Sequence, residues 1–248
     1  MNRQSNTYTI IYAIVLVVVV GVLLSVVYQA LRPQQVENIA NDTKRQILAA
    51  ALITPKEGEN IADLYSAHIT DSYIVNSKGE KVSGESDPFD INVSLEVKKP
   101  IDQRLLPVFV CKTEAGVKYI LPVYGAGLWG PIWGYIAMDA NGDTIYGAYF
   151  AHQGETPGLG AEIEKPAFSD QFKGKDIFNK TGEFQSVKVV KNGQEPSEGA
   201  YVHAISGGTI TSQGVQKMLM NSLEPYTAFF KSLKTNATDT PASTDTAA

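Results

Sequence analysis

The stretch "GYIAMDANGDTIYGAYF", residues 134–150, decides the fold class of this chain. Two β-rich runs flank Asn141-Gly142, a dipeptide that supplies the backbone conformation of a tight hairpin turn. Further β-rich runs, each containing turn residues, are "SYIVNSKGEKV" from 72, "VFVCKTEAGVKYILPVY" from 108 and "SVKVVKNGQ" from 186. With helical patterns at 61–68 and 165–172, these runs predict an α+β domain, an antiparallel sheet with helices on one side.

An apolar segment precedes this domain. Residues 9–27, "TIIYAIVLVVVVGVLLSVV", carry no charge and are long enough as a helix to cross a bilayer. Tyr8, Tyr12 and Tyr28 lie near its ends, where tyrosines settle at the headgroups. The run is too long for a signal peptide and lacks a cleavage site, so we expect a single retained transmembrane helix. Basic residues flank it on both sides and leave its orientation open.

The composition divides the chain into three parts. Residues 1–31 contain the transmembrane helix, and a helical pattern beginning at Arg32 leads into a domain that we assign to 32–233. Residues 234–248, "KTNATDTPASTDTAA", contain no large apolar side chain. Such a segment cannot bury enough surface to offset its chain entropy, so we expect a disordered tail.

Composition and motifs exclude several classes of function. A net charge of −5, without basic runs that include aromatic residues, gives no expectation of a nucleic-acid partner. The single cysteine, Cys111, and three scattered histidines have no metal-binding spacing, and no nucleophile context or phosphate-binding loop occurs. "DANGDT" departs from a calcium loop at Thr144 and Phe150, so a hairpin explains it. We therefore expect no metal and no catalytic residue.

The segment "GAGLWG", residues 125–130, matches the glycine pattern of dinucleotide-binding folds. That site needs a helix directly after the glycines, whereas Pro131 and another β-rich run follow. We therefore expect no dinucleotide site. The glycines permit a tight bend that presents Leu128, Trp129 and Trp133, and a purely structural bend with buried tryptophans is the alternative.

A second glycine-rich segment, "HQGETPGLGAEI", spans residues 152–163. Gly158 and Gly160 flank Leu159 and would let the backbone approach a flat ligand closely. Polar edges would come from His152, Glu155 and Thr156. An ordinary surface turn at Pro157-Gly158 is the alternative.

The segment "SGGTITSQGV", residues 206–215, crowds small and hydroxyl residues just before a helical pattern. Thr211 or Ser212 then lies near the helix start, where unpaired amides and the helix dipole favour a phosphate. An ordinary serine or threonine cap is the alternative.

This segment is similar to the S-G-A-T-x-T flavinylation motif, whose last threonine carries FMN through a phosphoester bond. Gly208 replaces the usual alanine, and Thr211 matches the attachment residue. With the membrane helix, "YGAGLWGPIWGYIA" and "ETPGLGAEI", the chain resembles, over nearly its whole length, the C subunit of the sodium-translocating NADH:quinone oxidoreductase, a family of covalent FMN-binding proteins.

The resemblance implies an FMN attached to Thr211 by a flavin transferase that uses FAD as donor. It also implies a domain on the periplasmic side of the bacterial inner membrane, anchored in lipid, that works with other membrane subunits in electron transfer from NADH to ubiquinone and in Na⁺ transport. The residues expected to shape the site are Ser206, Gly207, Thr209, Ser212, Leu128, Trp129, Glu155, Thr156, Gly158, Leu159 and Gly160.

Two other functions stay open at this point. The related G subunit of the Rnf ferredoxin:NAD oxidoreductase complex shares the flavinylated threonine and the single anchor, although the longer β-rich segment before "YGAGLWG" favours the quinone reductase subunit. A membrane-anchored binding module without a cofactor would use the same glycine-rich loops only to hold partners.

Overall fold

The computed structural model describes residues 6–84 and 86–238, in which the chain divides into two compact units between Thr43 and Lys44. One α-helix, α1, spans Asn6–Ala50 and contains Pro33. The expected transmembrane helix and the helical pattern after Arg32 therefore belong to one continuous helix. An 18-residue window of α1 has a mean hydropathy of 3.2, so by length and composition this helix can cross a membrane.

The second unit is built on a five-stranded antiparallel sheet whose strands lie in chain order. Its strands are β1 (Ile69–Val75), β2 (Leu106–Thr113), β3 (Gly116–Ala126), β4 (Pro131–Asp139) and β5 (Ile145–His152). The turn between β4 and β5 lies at Asn141-Gly142, where Gly142 has φ +65° and its amide donates to the Asp139 carbonyl at 2.9 Å. The antiparallel sheet and the α+β class are thus confirmed.

The other elements connect or cover the sheet. The α-helices are α2 (Ile61–His68), α3 (Val93–Glu96), α4 (Pro166–Ser169), α5 (Thr209–Leu223) and α6 (Thr227–Thr238). The 3-10 helices span Pro88–Asp90, Ile101–Gln103, Gly160–Glu164, Asp170–Phe172 and Glu224–Tyr226. Strands β6 (Lys188–Val190) and β7 (Tyr201–His203) form a small parallel pair. The helical pattern at 61–68 became α2, and that at 165–172 became α4 followed by a 3-10 turn.

Both faces of the main sheet are covered, which differs from the expectation of helices on one side. Neighbouring strand residues point to opposite faces. Leu121 belongs to the larger apolar core with Val215 and Leu219 of α5, whereas the adjacent Ile120 packs in a second cluster with Ile47 from the carboxyl end of α1. Because β3 carries apolar residues on both faces of the sheet, both faces must be packed against other elements.

Small residues let α5 lie close to the end of β3. A Cβ added at Gly214 would stand 2.5 Å from the Ala126 carbonyl oxygen, and one at Gly125 would stand 2.7 Å from the Met218 Cβ. Any larger residue at either position would push the helix away from the strand. The first turns of α5 are therefore held against the loop that joins β3 to β4.

The carboxyl-terminal helix extends past the expected start of a disordered tail at residue 234. Phe229, Phe230 and Leu233 of α6 are buried in the main core, and Lys234 Nζ pairs with Asp143 Oδ2 at 2.6 Å. This packing continues the helix to Thr238. Residues 239–248, the rest of the predicted tail, lie outside the described residues.

Candidate functional site

Three glycine-containing segments meet at the amino end of α5. They are the loop between β3 and β4 at 127–130, the loop after β5 at 153–160, and the turn at 205–208 that leads into the helix. The three segments are those that the sequence singled out, although they are distant in the chain. Antiparallel pairing of β4 with β5 brings the first two together, since Ile132 lies opposite His152.

The loop between β3 and β4 closes directly into a strand. The Gly127 amide donates to the Gly130 carbonyl at 2.8 Å, and β4 begins at Pro131. A strand thus follows these glycines directly, at the position where the dinucleotide-binding pattern needs a helix. Trp133 is half-buried in β4 and donates its indole Nε1–H to Gln46 Oε1 at 3.1 Å, whereas the Trp129 side chain is 69% exposed. Of the two tryptophans expected to be presented at this bend, only Trp129 is exposed, so the expectation was wrong for Trp133.

A threonine and a carboxylate from two of these segments are in direct contact. The Thr211 hydroxyl donates to Glu155 Oε2 at 2.5 Å, and both residues are buried, with Thr211 1% exposed and Glu155 4% exposed. This distance is at the short end for a hydroxyl bonded to a carboxylate, which is a stronger bond than one between neutral groups. The sequence predicted both residues for the site but not the bond between them.

Backbone amides hold the Glu155 carboxylate in its charged form. Burial by itself raises the pKa of the carboxyl, but the hydrogen bond from Thr211 lowers it, as do those from the Trp129 and Leu128 amides. The Trp129 amide donates to Oε1 at 2.8 Å. The hydrogen bonds outweigh burial, so the pKa of Glu155 lies below its ordinary value. The carboxylate is therefore ionised at neutral pH.

His152 fixes the backbone that carries this carboxylate. The Glu155 amide donates to His152 Nδ1 at 3.1 Å, so Nδ1 is the unprotonated nitrogen of the ring. The His152 amide donates to Glu164 Oε1 at 3.2 Å, and the ring Nε2 lies 3.7 Å from the same oxygen. These bonds order the loop after β5 from its first residue.

Glycines pack tightly around the pair. A Cβ added at Gly160 would collide with both Glu155 Oε2 and Thr211 Oγ1, and one at Gly127 would stand 2.5 Å from Glu155 Oε1. A Cβ at Gly207 would stand 2.5 Å from Leu159 Cδ2. The glycines at 127 and 160 therefore serve close packing of the segments, whereas Gly207 has φ +74°, a backbone conformation that favours glycine. The close approach of a flat ligand predicted at Gly158 and Gly160 stays a prediction.

The first turn of α5 keeps its amide groups available. Gly208 is the residue before the helix and provides no capping side chain. The Ser212 amide donates to the Gly208 carbonyl at 2.9 Å. Among the described residues, the amides of Thr209, Ile210 and Thr211 donate to no backbone carbonyl, as is usual in the first turn of a helix. These donors belong to the same turn as the Thr211 hydroxyl.

Several predicted site residues make hydrogen bonds within the protein. The Ser212 hydroxyl is buried and accepts from the Ile205 amide at 3.0 Å, which closes the turn before α5. The Thr156 carbonyl accepts from the amides of Leu159 and Ala161, both at 3.1 Å, while Gly158 has φ +75° and donates its amide to Glu162 Oε1 at 3.0 Å.

Ser206 and Gly207 are exposed in the turn, and Thr209, the first residue of α5, is half-buried. A contact of these three residues, or of Thr156, Gly158 or Ser212, with a cofactor stays a prediction.

Exposed apolar side chains lie in the loops that meet at the amino end of α5. Leu128, Trp129 and Leu159 are all exposed, and the contact with a cofactor that the sequence led us to expect for them stays a prediction. Ile210 is also exposed, at 56%, and lies directly before Thr211 in the helix. Its apolar side chain on the outward face of an otherwise amphipathic helix was the signal that could have included it.

The described residues also bear on metal binding and on thiol reactivity. Within residues 6–84 and 86–238, no group of three histidine, cysteine, aspartate or glutamate side chains is arranged to hold a metal ion. Cys111 is buried in β2, and burial raises its pKa to about 11, which keeps the thiol protonated.

Comparison with known proteins identifies the family. A family described as the FMN-binding domain matches residues 127–224, which include all three site segments. The C subunit of the Na⁺-translocating NADH-quinone reductase of Pseudomonas aeruginosa is 30% identical over 88% of this chain and 91% of its own length. This chain belongs to the family of these C subunits. The protein of the same name from Vibrio vulnificus is 31% identical over 87% of this chain and 89% of its own length.

Solved structures of the family agree with the fold. The crystal structure of the C subunit from Parabacteroides distasonis has 48% sequence identity and a TM-score of 0.74, covering 81% of this chain and 96% of that one. The crystal structure of Shewanella oneidensis NqrC has 28% identity and a TM-score of 0.66, covering 79% of this chain and 98% of that one.

Proposed function

We propose that this chain is the electron-carrying subunit of a bacterial membrane NADH:quinone reductase that transports Na⁺, and that its FMN is joined to Thr211 by a phosphoester bond. Membership of the C-subunit family and the FMN-binding domain match support the flavoprotein role. The relatives carry the name of the quinone reductase subunit, which favours this function over the Rnf subunit and over a module without a cofactor.

The observation that carries the proposal is the position of Thr211. It is the third residue of α5, in a turn whose amides lack carbonyl partners within the helix and whose preceding residue is a glycine without a capping side chain. Amides at a helix start are suited to a phosphate. The residues present therefore fit a phosphate-linked cofactor, with the first-turn amides and the Thr211 oxygen as its attachment.

The exposed apolar residues suit the rest of the cofactor. Leu128, Trp129, Leu159 and Ile210 offer apolar surface beside Thr211 at the outside of the domain. A bound flavin supplies reversible uptake and release of electrons. Because these side chains are open to solvent, electron exchange with a neighbouring subunit needs no rearrangement of the core.

The setting in the membrane is part of the same proposal. Residues 1–31 anchor the chain in lipid of the inner membrane, and the residues from 32 to the end of α6 at Thr238 form the periplasmic FMN-binding domain. Other membrane subunits of the reductase are its partners in electron transfer, and a flavin transferase with FAD as donor is its partner during maturation. The apolar helix α1 supports the anchor.

The test is Thr211→Ala, expressed beside a flavin transferase and compared with Thr209→Ala. We expect the wild type and Thr209→Ala to show flavin fluorescence in a denaturing gel and Thr211→Ala to show none, because only the Thr211 hydroxyl occupies the attachment position. The Thr211→Ala protein should stay folded and membrane-bound. Fluorescence retained by a folded Thr211→Ala protein contradicts the assignment.

A further inference from the structure

The contact between Thr211 and Glu155 suggests a role beyond packing. Attachment of a phosphate to a threonine needs the hydroxyl to lose its proton, and an unassisted hydroxyl at neutral pH is a weak nucleophile. The Thr211 hydroxyl already donates to Glu155 Oε2 at 2.5 Å. A hydrogen bond of this length joins the nucleophilic oxygen to an acceptor for its proton, as a general base requires.

We propose that Glu155 is the general base of its own chain's flavinylation, a role that rests on the proposed attachment of FMN at Thr211. In this step Thr211 Oγ forms a bond to the FMN phosphorus of FAD, and the bond from that phosphorus to the pyrophosphate bridging oxygen breaks. AMP leaves, and the hydroxyl proton passes to Glu155 Oε2. The transferase supplies FAD and the modified protein supplies the base.

The surroundings of Glu155 suit this role. The Trp129 amide bond to Oε1 and the fixed backbone at His152 keep Oε2 directed at Thr211. Because the pKa of Glu155 lies below its ordinary value, the carboxylate is deprotonated whenever FAD arrives. A carboxylate of low pKa is a weak base towards a free hydroxyl, so proton transfer accompanies formation of the oxygen-phosphorus bond, during which the hydroxyl becomes acidic.

The product state is also consistent. After the step Thr211 Oγ has no proton to donate, and a phosphodiester charge stands next to Glu155. A second buried negative charge there would be costly, since like charges raise the pKa of a carboxyl. Retention of the transferred proton leaves Glu155 neutral and removes that repulsion.

The test measures flavinylation of the full chain in detergent, prepared from cells that lack the transferase. Purified flavin transferase and FAD are added, and intact mass follows the modified fraction with time. Glu155→Gln keeps the size and the acceptor oxygen but cannot take a proton. Glu162→Gln is the matched control, because Glu162 lies in the same region and accepts only the Gly158 amide among its described side-chain bonds. We expect Glu155→Gln to react roughly 100-fold or more slowly and Glu162→Gln to match wild type.

A pH series separates a base from a residue that only positions Thr211. Without the carboxylate, hydroxide must remove the proton, so the ratio of the wild-type rate to the Glu155→Gln rate should fall by about tenfold for each pH unit between 6.5 and 8.5. Titration of the transferase affects both rates and cancels in the ratio. A ratio that does not change with pH assigns Glu155 to positioning and overturns the base.

A second variant tests the same role in case Glu155→Gln does not fold. Glu155→Ala opens space beside Thr211, and added formate should restore part of its flavinylation rate but not alter that of Glu162→Ala. Equal rates for wild type and Glu155→Gln, or a slow Glu155→Ala rate that formate leaves unchanged, overturn the base while the proposed function stands. A wild-type chain that takes no flavin at Thr211 overturns both.

Discussion

Replacement of Gly160 by alanine tests whether the Thr211–Glu155 pair is packed as tightly as the structure indicates. The new Cβ would collide with Glu155 Oε2 and Thr211 Oγ1, neither of which can move freely because both side chains are buried. Gly160 does not have a positive φ, so backbone strain at that residue does not contribute. The effect of the substitution is therefore steric.

The expected loss of stability follows from two contributions. Displacement of one side chain breaks a buried hydrogen bond to a charged group, which costs about 1.5–3 kcal/mol. Overpacking of a close-packed site costs about 1–3 kcal/mol. Because the two losses overlap, we expect about 2–4 kcal/mol, which for a domain of this size lowers the Tm by roughly 5–15 °C.

Gly154→Ala is the matched control for this measurement. Gly154 lies in the same loop, has no positive φ, and a Cβ there meets nothing within 4 Å. We expect its Tm to stay within about 2 °C of wild type, since exposed substitutions of this kind change stability by about 0.5 kcal/mol or less. The assay is thermal unfolding of the unflavinylated full chain in detergent, followed by circular dichroism. Equal Tm values for the two variants would refute the packing argument.

Two further predictions concern the anchor and the electron source. A chain without residues 1–31 should be soluble, because α1 is the one described helix with an apolar run of membrane-spanning length. If that fragment still binds lipid vesicles, the segment after Arg32 is itself a membrane element. The flavinylated protein alone should keep its oxidised flavin absorbance with NADH, because β4 follows "GAGLWG" where a pyrophosphate site needs a helix, and should lose it with a chemical reductant. Rapid loss of that absorbance with NADH would reveal a nucleotide site.

Local patterns were sufficient to predict much of the fold. The Asn141-Gly142 turn and its flanking β-rich runs predicted the β4–β5 hairpin, because turn geometry is fixed by the residues of the turn itself. The helical pattern at 61–68 likewise matches α2. The pair β6 and β7 was not anticipated in full, since three-residue strands carry too little pattern and β7 forms through pairing with a distant segment.

The site was predictable only in part. A local motif identified Thr211, whereas its bond to Glu155 joins residues 56 positions apart and depends on how α5 packs against the sheet. The same limit applies to Ser212, whose hydroxyl is bonded to the Ile205 amide, a contact that composition cannot distinguish from a cofactor contact. Coverage of the second sheet face by Ile47 and Ala50, at the carboxyl end of α1, also depended on tertiary packing.

The most direct test of the proposed function is to locate the flavin on the protein isolated from its native membrane. Trypsin should release residues 192–217 as one peptide, which contains Ser206, Thr209, Thr211 and Ser212. Fragmentation of this peptide in the mass spectrometer assigns any added mass to one of these hydroxyls. We expect FMN on Thr211. FMN on Thr209 or Ser212, or an unmodified peptide from a functional membrane, would contradict the proposal.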